Sequence, residues 1–169
     1  VFPPAHPGVA YLLYSGSRRI VDEEAPTTLA TLALVGGAVL PDLIDQPLYH
    51  LAGFPTTRTI GHTLLLALPV CLAVARLVRR SSLPQPVGTA FAFGYGAHLA
   101  GDALWPLVLG LRDELGFLLW PVTPMPEYEG TKPLVDIGGA TVTTLWVELV
   151  LLALAVALWW NDGRPGSPV

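Results

Sequence analysis

The stretch Thr27–Asp45, TTLATLALVGGAVLPDLID, decides the fold. From Thr27 to Leu40 it carries no charge and no polar face of helical period, and then Pro41 is followed by two aspartates three residues apart. A helix on the surface of a soluble domain shows a polar stripe, and this one has none, so its surroundings are apolar on every side. Proline lacks the N–H that a helix interior needs, which predicts that the segment stops at Leu40. It would then rise only about 21 Å against a hydrocarbon core of about 30 Å, ending inside a membrane or thinning it.

The rest of the chain repeats the pattern. Apolar segments recur at Pro7–Gly16, His62–Val78, Val87–Leu111 and Thr141–Trp160, and the last three are long enough to span or nearly so. Charged residues are only 13% of the 169 residues and mean hydropathy is +0.55, so water is not the main solvent for this surface. The sequence therefore predicts an all-α, polytopic transmembrane bundle of about four to five helices, one integral membrane domain over residues 1–169. Its partner is the lipid bilayer. A net charge of −4 without a basic patch excludes nucleic acid. Cys71 has no second cysteine, which excludes a disulfide framework and a thiolate metal site. Val1–Gly16 has no basic n-region and does not read as a cleavable signal peptide.

The polar connections set an orientation. Arg18 and Arg19 follow the first segment, and Arg76, Arg79 and Arg80 close the third, so the positive-inside tendency puts both turns on the cytoplasmic side. The turn after Asp45, the start of the third segment and the proline-rich stretch Pro121–Gly139, expected to be a surface loop, then lie outside. Trp120 and Trp146 suit one interface, Trp159 and Trp160 the other.

The candidate chemistry gathers on that outer side. An unpartnered carboxylate in apolar surroundings costs several kcal/mol, so Asp42 and Asp45 need a cation, and no lysine is near. Farther on come His50, Arg58 and the Gly61-His62-Thr63 element, and in the fourth segment His98 and Asp102 stand four apart, on one helical face. His6 precedes the first segment, and Glu148 is the acidic residue of the last. Aspartate and imidazole without thiolate suit a divalent ion, zinc first, with manganese, iron or magnesium as alternatives. Against this stand plainer readings: a solvated turn for Asp42 and Asp45, an interhelical hydrogen bond for His98 and Asp102, and a charge reaching the helix end for Glu148.

Pro41-Asp42-x-x-Asp45, Arg58 ahead of Gly61-His62-Thr63, and His98-x-x-x-Asp102 with Trp120-Pro121 downstream resemble the membrane-bound metal-dependent hydrolase family, whose relatives include SOS-controlled bacterial inner-membrane proteins and archaeal members. The likeness runs from His6 to about Pro121. It implies a helical membrane protein with a divalent metal held by His6, Asp42, Asp45, His62, His98 and Asp102. The family's denser His-Arg run is reduced here to Arg58.

The function expected is a metal-dependent hydrolase of the cytoplasmic membrane, its site toward the outer face, with Asp45, His62 and Arg58 in catalytic roles. A lipid or lipid-linked phosphoester would present its headgroup at that depth, and Arg58 could pair with its phosphate. The alternative is a non-enzymatic membrane protein with a structural metal site or an ion or proton transport role. The inner halves of the third and fourth segments, near Val74 and Phe91, are almost without polar residues, which favours a one-sided site.

Overall fold

The computed structural model describes residues 4–21, 24–125, 134–137 and 140–167, with the side chains of 134–144 outside the description. It has five α-helices: α1 (Ala5–Val21), α2 (Thr28–Ala52), α3 (Leu64–Arg80), α4 (Pro86–Val108) and α5 (Thr144–Asn161). A 3-10 helix, Arg112–Leu119, follows α4. The polar stretch expected to be all loop contains strand β1 (Leu134–Ile137), antiparallel to β2 (Ala140–Thr143), so one short hairpin joins an otherwise helical chain.

The largest departure from the sequence reading is α2, which does not stop at Leu40. It starts on the Thr27 cap, whose hydroxyl accepts from the Ala30 N–H at 3.3 Å, and runs through Pro41 and Pro47 to Gly53. Gly53 ends it in the left-handed conformation, φ 70°, a position glycine takes without strain. Proline breaks helices that stand in water, but a helix packed among others tolerates it because neighbours take up the freed backbone groups. Here α4 packs on it, and His98 of α4 bonds the Ala38 carbonyl in the turn before Pro41. Gly37 faces the Phe91 carbonyl and Gly94 faces the Leu34 carbonyl so closely that neither glycine has room for a Cβ. The two backbones touch directly, as small residues permit in helical bundles. Asp42 and Asp45 therefore lie within a helix and not at its end.

Helix α4 is central, packed against α2, α3, α1 and the 3-10 helix, while α5 packs on α1. The core under the site is Tyr95, Leu99, Ala103, Phe117 and Ala67; that at the other end is Ala10, Tyr11, Tyr14, Leu34, Ala38 and Ala90. The outward faces remain apolar: Leu13, Leu32, Leu68, Leu72, Leu107 and Leu154 are all more than half exposed. Among the described residues α2 is long and apolar enough to cross a membrane, and Leu145–Asn161 is a shorter apolar helix.

Candidate metal centre

Asp45 is the point from which the site is built. Its Oδ2 accepts from the Thr59 N–H at 2.6 Å and lies 2.7 Å from His62 Nδ1; its Oδ1 accepts from the Thr59 hydroxyl and the Gly61 N–H, both at 2.9 Å. A carboxylate with two donors on each oxygen is saturated, and it folds the chain from Thr59 to His62 against α2. Gly61 is needed there because a Cβ would stand 2.5 Å from the Pro41 carbonyl oxygen. Tyr95 holds the same turn from α4, its hydroxyl donating to the Gly61 carbonyl at 2.6 Å.

Two imidazoles are oriented from behind. With Asp45 accepting at Nδ1, His62 turns a bare Nε2 toward the interior. His98 Nδ1 lies 2.6 Å from the Ala38 carbonyl of α2, which accepts its proton and leaves Nε2 bare as well. That carbonyl belongs to the turn before Pro41, whose ring removes one helical N–H and crowds the turn. The two Nε2 atoms face each other at 3.0 Å. At that distance two nitrogens need a proton or a metal cation between them.

Further donors surround the pair. Asp102 Oδ2 is 3.3 Å from His62 Nε2 and 3.7 Å from His98 Nε2, and Asp42 Oδ1 is 3.7 Å from His62 Nε2. His6 stacks on His98 with centroids 3.8 Å apart and places its Nε2 3.4 Å from Asp102 Oδ1. Ligands held 2.0–2.1 Å from a tetrahedral zinc ion lie about 3.3 Å apart, and these separations bracket that value. A metal ion would draw on these donors together, whereas a shared proton would serve the two imidazoles alone. His6, His98 and Asp102 form one group that could hold a metal ion, and Asp42, His62 and His98 another, with His98 common to both.

The structure thus brings His6, Asp42, His62, His98 and Asp102 to one place. Asp45, expected among the ligands and the catalytic residues, stands outside both groups because all its acceptor positions point at the 59–62 turn. It orients His62. Arg58 reaches in from the connection between α2 and α3, donating to Asp102 Oδ1 at 3.1 Å with its guanidinium 5.6 Å from the Phe117 ring centre. His50 is exposed beside Tyr49, away from the cluster. Glu148 is buried on α5 one turn before Leu152.

Sequence reasoning missed three parts of the site. Phe117 walls it edge-on to His62, from a 3-10 turn with no period to betray it. Thr59 and Tyr95 act on its backbone, and only the place of Tyr95, one turn before His98 on α4, was a usable signal. All of the cluster is nearly fully buried except Asp42 and Arg58, whose side chains are 20% and 23% exposed, so the opening is on their side.

A family described as YdjM inner membrane protein matches residues 5–164 of the chain. No curated protein and no solved structure matches it.

Proposed function

Because the chain belongs to the YdjM inner membrane protein family, we propose that the bundle spans the membrane and that its His/Asp cluster binds a divalent metal, zinc first, for hydrolysis of a phosphoester at the outer face. Membership agrees with the inner-membrane relatives expected from the motifs; the hydrolytic activity is our reading of the site. The observation that carries it is the pair of Nε2 atoms 3.0 Å apart, both aimed by an acceptor at Nδ1. The apolar outward faces of the helices support the polytopic arrangement, since lipid is the solvent that such faces fit.

The residues divide the work. His62, His98 and Asp102, with Asp42 and His6, would hold the metal; a bound divalent ion supplies a water of lowered pKa and polarises a phosphoryl oxygen. Asp45 and the Ala38 carbonyl fix the tautomers of the two imidazoles, so both offer a lone pair without rearrangement. Arg58, at the open side, presents its planar fork to an anionic group and can bind a phosphate while Asp102 keeps it in place. Leu34 and Ala90, in the core on the far side of the site, are fully buried apolar packing, which supports a one-sided site over a conduction path.

The test is metal content of the purified protein, followed by zinc titration and turnover of a chromogenic phosphodiester. Zinc should bind in about equimolar amount, and His62→Ala and His98→Ala should each abolish tight binding. Absence of divalent metal, and of zinc uptake, would end the proposal. Metal without phosphoester turnover would leave the site structural and the enzyme reading refuted.

A further inference from the structure

At the opposite end of the bundle a second buried carboxylate gathers three donors. The Asp162 side chain, just past α5, is fully buried. Its Oδ2 accepts from the Tyr11 hydroxyl at 2.7 Å and the Ser15 hydroxyl at 2.6 Å, and its Oδ1 pairs with Arg19. Tyr11, Ser15 and Arg19 are spaced by four on α1 and so form one stripe. Gly8 continues that stripe: a Cβ there would meet Leu152 Cδ1 at 2.9 Å and Ala155 Cβ at 3.4 Å. His6 lies on a different face of the same helix, turned to His98.

In water, apolar burial would hold α1 against α5. In lipid the tails are as apolar as the helix faces, so close packing at small residues and directional polar contacts together set the register. A helix that slips by one residue moves about 1.5 Å and turns about 100°. Either displacement would carry His6 off the His98 ring and away from Asp102. The Asp162 contacts, directional bonds from three positions of α1 to the end of α5, oppose both displacements.

We infer that Asp162 is a positioning residue: by gripping Tyr11, Ser15 and Arg19 it sets the rotation and axial register of α1, and through that rigid helix it places His6 in the metal centre at the other face. The inference rests on the proposed metal centre for its consequence, but the register itself can be read without any metal.

The register experiment uses Gly8→Cys with Ala155→Cys in a Cys71→Ala background, since their Cβ atoms would stand 3.4 Å apart, a few tenths of an ångström from the usual disulfide separation. Mild oxidation should join them in nearly all molecules, and adding Asp162→Ala should cut the yield several-fold. Unchanged yield would overturn the inference whatever the site binds. The second measurement is titration with zinc alone. Asp162→Ala should weaken zinc binding about tenfold when His6 is present and not at all in a His6→Ala background, and the Gly8–Ala155 crosslink should restore the lost affinity. An equal loss in both backgrounds would show a general stabilising role and refute positioning. If no form binds zinc, the metal reading fails while the crosslink result still decides the register. Should Asp162→Ala not accumulate, Asp162→Asn, which keeps the volume, serves in both arms.

Discussion

Gly61→Ala tests the architecture of the site without removing any of its functional groups. The added Cβ would stand 2.5 Å from the Pro41 carbonyl oxygen and 3.1 Å from both Pro41 Cα and Ile44 Cβ, all on α2, where nothing flexible can yield. Bringing the first contact to an ordinary separation moves the 59–62 turn outward by about 0.9 Å or more. The Gly61 N–H, now 2.9 Å from Asp45 Oδ1, would then fall outside good hydrogen-bond range, and His62 moves with it. Overpacking costs about 1–3 kcal/mol and the weakened bond to a charged acceptor up to about 1.5–3 kcal/mol, so the loss should be about 1–6 kcal/mol. The control is Gly96→Ala on α4, where a Cβ meets nothing within 4 Å. There the gain in helix propensity is about 1 kcal/mol. Denaturant unfolding in detergent, run on both variants, reads the difference, and zinc titration reads the site. Stabilities of Gly61→Ala and Gly96→Ala within about 0.5 kcal/mol of each other would refute the tight seating of the turn on α2.

Asp45→Asn should be as damaging as loss of a ligand. Whichever way the amide is turned, its NH2 faces one backbone N–H, of Thr59 or Gly61, and one side-chain donor, so about 2–4 kcal/mol of stability and most zinc affinity should go; intact affinity would show that His62 is not oriented through this carboxylate. Burial alone would raise the Asp162 carboxyl, but hydrogen bonds from Ser15, Arg19 and Tyr11 outweigh it and hold it below the usual range. Its stabilisation is therefore complete above the unfolded value of about 3.9 and is lost as pH falls through the lower folded one. The unfolding temperatures of the unmodified protein and Asp162→Asn should differ by a constant amount from neutral pH to about 5 and converge only below about 4, and convergence near neutrality would contradict the depressed carboxyl. For orientation, single cysteines near Ser81 and near Met125 in a Cys71→Ala background should react with an impermeant maleimide from opposite sides of the membrane; equal labelling from one side would reverse the topology.

What the sequence made legible was the expensive part. Asp42, His62, His98 and Asp102 stood out because a charge or an imidazole in an apolar run demands a partner, and the i, i+4 spacing of His98 and Asp102 gave their common face. The end of α2 was misread because Pro41 is judged by what it does to a solvated helix, whereas this one, in backbone contact with α4 at Gly37 and Gly94, continues through it. Ligand and orienting carboxylate could not be told apart either. Asp42 and Asp45 are alike in sequence, and what separates them is a turn from Thr59 to Gly61 whose N–H groups reach one and not the other. Phe117 was invisible for lack of periodicity.

The short sequence distance between Asp45 and its donors bears on how the chain enters the bilayer. As α2 leaves the translocon, an aspartate at membrane depth costs about 2.5–3.5 kcal/mol while it has no partner. Its donors follow only 14 to 17 residues later, on the connection to α3. Helix and connection can therefore close on each other as a single nascent hairpin arm, before α4 has been synthesised. On the proposed reading, half of the candidate metal centre would in this sense come together from one contiguous piece of chain, with His62 already aimed, and the other half would be delivered when His98 and Asp102 arrive.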